Sequence, residues 1–188
     1  MKYKIKRFSQ IPLGKVILPG NKRPCDPLPR KFTDKPVTKE ELDKILQAAL
    51  LAPTSMNRKP CNFMVVERRE TLEKLAKSKD HGADLISGAD KAIVVLADTM
   101  IADTWCEDSS IALTYMHLMA SELDLGSCWV QIHLRSKDGK NSEEIVRDIL
   151  KIDSHYRIAG ILAIGHSENI PKPHTIDDVD KNKIHFLI

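Results

Sequence analysis

Hydrophobic positions change their period several times along the chain, and each change marks an element. After Thr38-Lys39-Glu40-Glu41, a capping-box pattern, Leu42, Ile45, Leu46, Ala49 and Leu50 recur every three to four residues. That spacing predicts an amphipathic helix, which Pro53 ends. Residues 63–66 and 92–97 are short continuous apolar runs rich in valine and isoleucine and predict buried strands. Between them, residues 69–78 predict a further amphipathic helix. The longest helical stretch covers residues 103–124, with Gly126 placed as its C-cap glycine. Residues 127–132 predict a strand. Asn141-Ser142-Glu143-Glu144 then opens a helix, with an N-cap residue and acids in the first turn, where the dipole favours them. Residues 157–165 predict a last buried strand.

This alternation points to a layered α/β or α+β domain. The long helix adds a detail: Trp105, Ala112, Met116, Met119 and Leu123 line one side, while Ile111, Tyr115 and Leu118 widen the apolar arc. A helix apolar over so much of its circumference lies central in a core or at a subunit interface, and the pattern leaves both open. Ahead of the domain, six of the ten prolines fall before residue 37, in a segment that also carries Lys15, Lys22, Arg23, Arg30 and Lys31. Proline fixes φ and removes a donor, so residues 1–29 are expected to form an extended arm, with residues 30–188 as a single domain.

Composition narrows the partners. The 188 residues are 42% apolar and 29% charged, an ordinary globular mix. Against 29 basic side chains stand 26 acidic ones, too even a balance for a nucleic-acid footprint. Cys25, Cys61, Cys106 and Cys128 are scattered, with no C-x-x-C and no His at ligand spacing, which argues against zinc. The opening MKYKIKRF lacks a signal-peptide core, and no apolar run approaches the roughly 20 residues that span a bilayer. A reduced, cytoplasmic protein without membrane or nucleic-acid partners is expected.

Phosphate-loop chemistry is a poor fit. Gly160-Ile-Leu-Ala-Ile-Gly165-His166 has the glycine spacing of a Walker loop without its Lys and Ser/Thr, and no G-x-G-x-x-G occurs. Cys61 follows Arg58 and Lys59, whose charges would favour a thiolate. Cys128 lies in Gly126-Ser-Cys-Trp129, where a small buried side chain is the ordinary role, and structural roles are the better reading at both cysteines. The seven histidines are dispersed and form no obvious dyad.

Four stretches in order carry more. Pro53-Thr-Ser-Met-Asn57-Arg-Lys-Pro60 resembles the P-S-S-x-N-x-Q-P loop of the nitroreductase family of FMN-dependent oxidoreductases. Arg30-Lys-Phe32 resembles the end of that family's R-R-S-x-R-x-F opening. Trp105-x-x-Asp108-x-x-Ile111-Ala112, leading to Leu123-Asp-Leu-Gly126-Ser-Cys-Trp129, is similar to its central helix and following strand. Ile164-Gly165, then Pro171-Lys172-Pro173-His174, is similar to its late strand and basic phosphate-binding turn.

The resemblance implies an α+β fold, a three-layer α/β/α sandwich around a mixed central sheet, assembled as an interlocked homodimer with FMN at the subunit interface. It implies that Pro53, Thr54, Ser55 and Asn57 meet the flavin across the dimer, with Lys59 supplying a cation to the cofactor where the family has an amide. The backbone of Val130, Gln131 and Ile132 would lie near flavin N5, and Arg30, Lys172 and His174 would hold the phosphate. The implied activity is an NADH- or NADPH-dependent, ping-pong reduction of nitroaromatics, quinones or related small-molecule acceptors. Hydride then moves to and from the cofactor, and the protein needs no acid–base pair of its own. Reduced flavin carries negative charge near N1 and O2, which a cation or amide donor stabilises. The chain departs from the pattern at Pro27 and Leu28, where the family has Arg and Ser, and at Lys59, Cys61 and His174, where it has Gln, Trp and Arg. A non-catalytic flavin-binding or sensing protein on the same fold is therefore the second reading.

Overall fold

A four-stranded sheet, β2 (Cys61–Val66), β3 (Lys91–Asp98), β7 (Tyr156–Gly165) and β4 (Gly126–Gln131) in that spatial order, separates two apolar cores. The structure is a computed structural model and describes residues 5–7, 31–168 and 176–187. The proline-rich stretch before residue 31, with Arg30, and the turn carrying Lys172 and His174 lie outside the described residues.

Because successive side chains of a strand point to opposite faces, β3 and β7 feed both cores. Ala92, Val94 and Leu96 with Ile158, Ile161 and Ala163 face α2 (Arg69–Leu75) and α4 (Ser142–Leu150). Ile93 and Val95 with Ala159, Leu162 and Ile164 face α1 (Lys39–Leu51) and α3 (Trp105–Glu122). The result is the expected three-layer α+β sandwich. The sheet itself differs from expectation: every described pairing is antiparallel, and no mixed pairing is present among the described residues. Two small antiparallel ribbons complete the sheet structure. One pairs β5 (Ser136–Lys137) with β6 (Lys140–Asn141), and the other joins β1 (Ile5–Arg7) to β8 (His185–Leu187) of the same chain.

Local chemistry sets the helix bounds. Thr38 and Glu41 form the reciprocal capping box, with Glu41 N–H donating to Thr38 Oγ1 at 3.2 Å and Thr38 N–H donating to Glu41 Oε2 at 2.7 Å. Ala52 is extended (φ −58°, ψ 138°), as the residue before Pro53 must be. Helix α2 is shorter than its pattern, ending at Leu75 before a series of turns. Helix α3 stops without the predicted glycine. Asp124 takes the left-handed position (φ 57°), its N–H donates to Ser121 O, and Leu125 N–H donates to Ala120 O, which together form a Schellman closure. Aspartate tolerates that conformation, and Gly126 is left to begin β4 instead.

One irregularity fixes the chain just past the end of β4. The register between β3 and β7 shifts between Val95 and Leu96, so that Ala159 is an extra residue in β7. Its carbonyl accepts from both Ile132 N–H and His133 N–H, each at 3.2 Å. Bulges commonly re-aim a strand in this way next to functional sites. Among the described residues no helix is long and apolar enough to cross a membrane.

Gly160, beside the bulge, has no room for a side chain. A Cβ there would lie 2.6 Å from Trp129 Nε1 and 3.0 Å from the Val130 carbonyl oxygen. Gly160→Ala is expected to lower the unfolding free energy by about 1–3 kcal/mol through this overpacking. Urea unfolding of the two proteins measures it, and equal midpoints would contradict the packing described.

Candidate functional site

The connection between α1 and β2 is built from unusual backbone. Met56 (φ 52°), Asn57 (φ 57°) and Lys59 (φ 52°) all adopt the left-handed conformation, although none is glycine. Such residues persist only where their surroundings over-determine them. Here Asn57 N–H donates to Thr54 O, Arg58 N–H to Ser55 O, and Lys59 N–H to Thr54 Oγ1 at 3.0 Å. The loop is also pinned from below. Asp108, buried in the first turn of α3, accepts from Ser55 N–H at 2.8 Å and from the Thr104 hydroxyl at 3.2 Å. Locked in this way, Pro53, Asn57 and Lys59 are exposed, while Thr54 and Ser55 are half-buried.

The end of β4 is the second predicted region. Val130 and Ile132 are buried, so their side chains belong to the core. Gln131 is half-buried, and its carbonyl accepts from Lys79 Nζ at 3.2 Å. Burial and the nearby Arg135 guanidinium both push the Lys79 ammonium below its usual range. Among the described residues no carboxylate pairs with Lys79, and its hydrogen-bond partner is that carbonyl alone.

Past the strand lies a cluster that sequence patterns did not reveal. Glu143, at the start of α4, is only 2% exposed. It accepts from Arg157 Nε (2.8 Å) and Nη2 (2.9 Å), from Ile158 N–H (3.1 Å) and from His133 Nδ1 (2.7 Å). Burial alone would raise its pKa. The Arg157 and His133 side chains and the Ile158 amide outweigh that and hold it at about 2. Trp105, at the start of α3, meets the His133 ring edge-on at 4.8 Å and carries the Arg157 guanidinium 4.6 Å from its centroid. Trp105 and Asp108 share the first turn of α3, so this helix end braces both the 53–59 loop and the segment after β4.

Of the predicted site residues, Pro53, Thr54, Ser55, Asn57 and Lys59 lie on the braced loop, and Val130, Gln131 and Ile132 on the strand end. Arg30, Lys172 and His174 are outside the described residues. Cationic activation of Cys61, the less favoured sequence reading, is absent: burial pushes its thiol up, Ser109 opposes this, and Asp108 adds to it. Burial likewise pushes Cys128 to about 11. Both therefore serve as packing side chains. Sequence reasoning missed Lys79, Glu143, His133 and Arg157. An acid in the first turn of a helix reads as an exposed dipole partner, and no local signal marks Glu143 as buried.

The profile of the nitroreductase family matches residues 29–84 and 77–166. The chain belongs to the nitroreductase family. A relative from Methanothermobacter thermautotrophicus, named for NADH dehydrogenase and NAD(P)H nitroreductase, is 33% identical over 84% of this chain and 80% of its own. One of the same name from Archaeoglobus fulgidus is 30% identical over 83% and 90%. Among solved structures, an FMN-dependent nitroreductase from Clostridium difficile superposes with a TM-score of 0.83 at 40% identity, covering 86% of this chain and 94% of that one. Two of the segments that carry the nitroreductase resemblance, the loop and the strand end, are thus held by hydrogen bonds to buried groups.

The Glu143 cluster makes stability acid-sensitive. Its pKa falls on folding from the ordinary 4.5 to about 2, so its contribution is complete above pH 4.5 and is lost as pH drops toward 2. That contribution is on the order of 3 kcal/mol. Glu143→Gln is expected to lower stability at pH 7 by about 3–5 kcal/mol, with the gap to wild type narrowing across that acid window. Denaturant unfolding at stepped pH measures this, and parallel curves would refute the assignment.

Proposed function

We propose that the protein is an FMN-dependent NAD(P)H oxidoreductase that reduces quinones, nitroaromatics or related small acceptors in a ping-pong cycle. Lys79 is the observation that carries this reading. A half-buried ammonium group with no carboxylate partner among the described residues, at the end of β4, suits a ligand bearing negative charge. FMN fits that requirement, because its reduced ring concentrates charge near N1 and O2. The chain's own groups then have distinct tasks. Lys79 stabilises that charge, the backbone of 130–132 lines the ring, and Ser55 and Asn57 present a hydroxyl and an amide from a loop that needs no ordering on binding. Arg30, Lys172 and His174 hold the phosphate. When bound, FMN supplies the hydride transfer itself.

A homodimer accords with two further features. The cleft lined by Thr54, Lys59, Cys61 and Phe63 has a volume of about 130 Å³, well below the roughly 300–1,000 Å³ of a typical ligand site. In this reading a second subunit completes the enclosure. Leu50, Leu51 and Met56 on and after α1, with Tyr115 and Leu118 on the neighbouring α3, also leave apolar surface outside the core. The three described cysteines are free thiols, in accord with the cytoplasm.

The visible spectrum of the purified protein with FMN, followed by anaerobic NADH or NADPH, tests the reading. Bound flavin that bleaches with either donor is expected. A protein that takes up no flavin favours the non-catalytic alternative. Lys79→Met is expected to lower the flavin midpoint potential by about 30 mV or more, the equivalent of roughly 1.4 kcal/mol for a two-electron couple. Arg30→Ala and Lys172→Ala are each expected to weaken FMN retention by about tenfold or more.

A further inference from the structure

Resting on that reading, we propose that His133, oriented by Glu143, is the proton donor to the acceptor. The geometry is that of a carboxylate-held imidazole with one nitrogen committed and the other open. The 2.7 Å contact between Nδ1 and a carboxylate oxygen requires the proton on Nδ1. Arg157 Nη2 lies 3.1 Å from the same nitrogen and donates to Glu143 Oε1 at 2.9 Å, so its charge pairs with the carboxylate that holds the ring. Nε2 has no protein partner among the described residues, and the side chain keeps 15% of its surface exposed. A base oriented in this way by a third group is the arrangement that acid–base chemistry uses.

Its position depends on the bulge. Burial alternates along 130–133, with Val130 and Ile132 inward and Gln131 and His133 half-buried. His133 is the residue directly after the segment that lines the flavin ring in the proposed site. Ala159 O holds its backbone, and the Trp105 edge contact fixes its ring. The charged and titratable groups around it are Glu143 and Arg147 from α4, Arg157 from β7, and Cys106 from α3 beside the Arg157–Glu143 pair. Burying so complete a set of partners to hold one imidazole is not needed for packing, since an apolar cluster of the same size would serve.

The step balances for a quinone. The acceptor gains two electrons and one hydrogen as hydride from the NAD(P)H-reduced flavin, which is oxidised. The Nε2–H bond of the imidazolium breaks as an O–H bond forms on the reduced acceptor. The imidazole is left neutral, and solvent returns its proton. A one-electron acceptor such as ferricyanide takes electrons without a proton and does not use the step.

The two acceptors therefore separate the roles. In flavin-loaded His133→Gln, stopped-flow reoxidation by a quinone is expected to slow by about 100-fold. Reduction by NAD(P)H and reoxidation by ferricyanide are expected to change by far less than the quinone step. The wild-type quinone step should show a solvent isotope effect that the ferricyanide step lacks. In the flavin-free protein, imidazole nitrogen NMR should find the neutral ring protonated on Nδ1. A wild-type quinone rate in His133→Gln overturns the proposal, as does a neutral ring protonated on Nε2. If His133→Gln fails to fold, the wild-type isotope comparison and the NMR tautomer decide. A wild-type protein that takes up no flavin overturns the oxidoreductase reading itself, and this assignment with it.

Discussion

The buried carboxylate of Glu143 is the constraint that one end of the sheet is built around. An ionised carboxylate removed from water is tolerated only when it is paired and hydrogen-bonded on all sides. Glu143 meets this with a guanidinium, an imidazole and a backbone amide, brought together from separate parts of the chain. Satisfying it fixes the start of α4, the start of β7 and the segment after β4 at one point. The bulge at Ala159 belongs to the same arrangement. Without the extra residue, its carbonyl would not turn to hold Ile132 and His133. Electrostatic necessity thus sets the position of a strand end that hydrophobic packing alone would leave free to shift.

Asp108 plays the matching part for the 53–59 loop. The left-handed backbone at Met56, Asn57 and Lys59 costs on the order of 1–2 kcal/mol per residue, and so short a loop has no core of its own to offset that. The buried carboxylate supplies an acceptor for Ser55 N–H, and the Thr54 hydroxyl supplies one for Lys59 N–H. Both carboxylates act at the same end of the sheet, and the first turn of α3 joins them through Trp105 and Asp108. The loop and strand end are therefore tied to one helix end, and do not meet only when a ligand arrives.

How much of this was legible depended on the range of the interaction. Periodicity located every large element, because each strand or helix carries its own burial pattern. The capping box at Thr38 and the Asn141 cap were readable for the same reason, since both partners lie close in sequence. Strand direction was not, because the alternation of apolar residues is the same in parallel and antiparallel pairs. The closure of α3 was assigned to the wrong residue, because glycine is only the commonest occupant of a left-handed cap and Asp124 serves instead. The Glu143 cluster was invisible, since the partners of Glu143 lie 10 to 15 residues away in sequence and on other elements. A charged residue in a first helical turn reads as exposed unless the opposing guanidinium is already known. The loop was recognisable through family resemblance, but the left-handed backbone that gives it shape has no glycine to announce it.

One of the loop's departures from the family pattern falls on a side chain that the loop's hydrogen bonds do not use. Lys59 contributes its backbone N–H to the Thr54 clamp, and its side chain is exposed. Side-chain identity there can change from an amide to a cation without disturbing a single loop hydrogen bond. Cys61 is different, because its side chain packs inward between Phe63 and α3, with its sulfur 3.7 Å from Ser109 Oγ. A tryptophan, as the family pattern has, would occupy the space that Cys61 leaves as a cleft of about 130 Å³ against Ala49 and Ala112. The cleft opens beside Thr54 and Lys59, so the smaller side chain and the added cation enlarge and charge the same corner. Two substitutions two residues apart therefore alter one surface together, while the backbone that carries them is held by Asp108 and Thr54, which neither substitution touches.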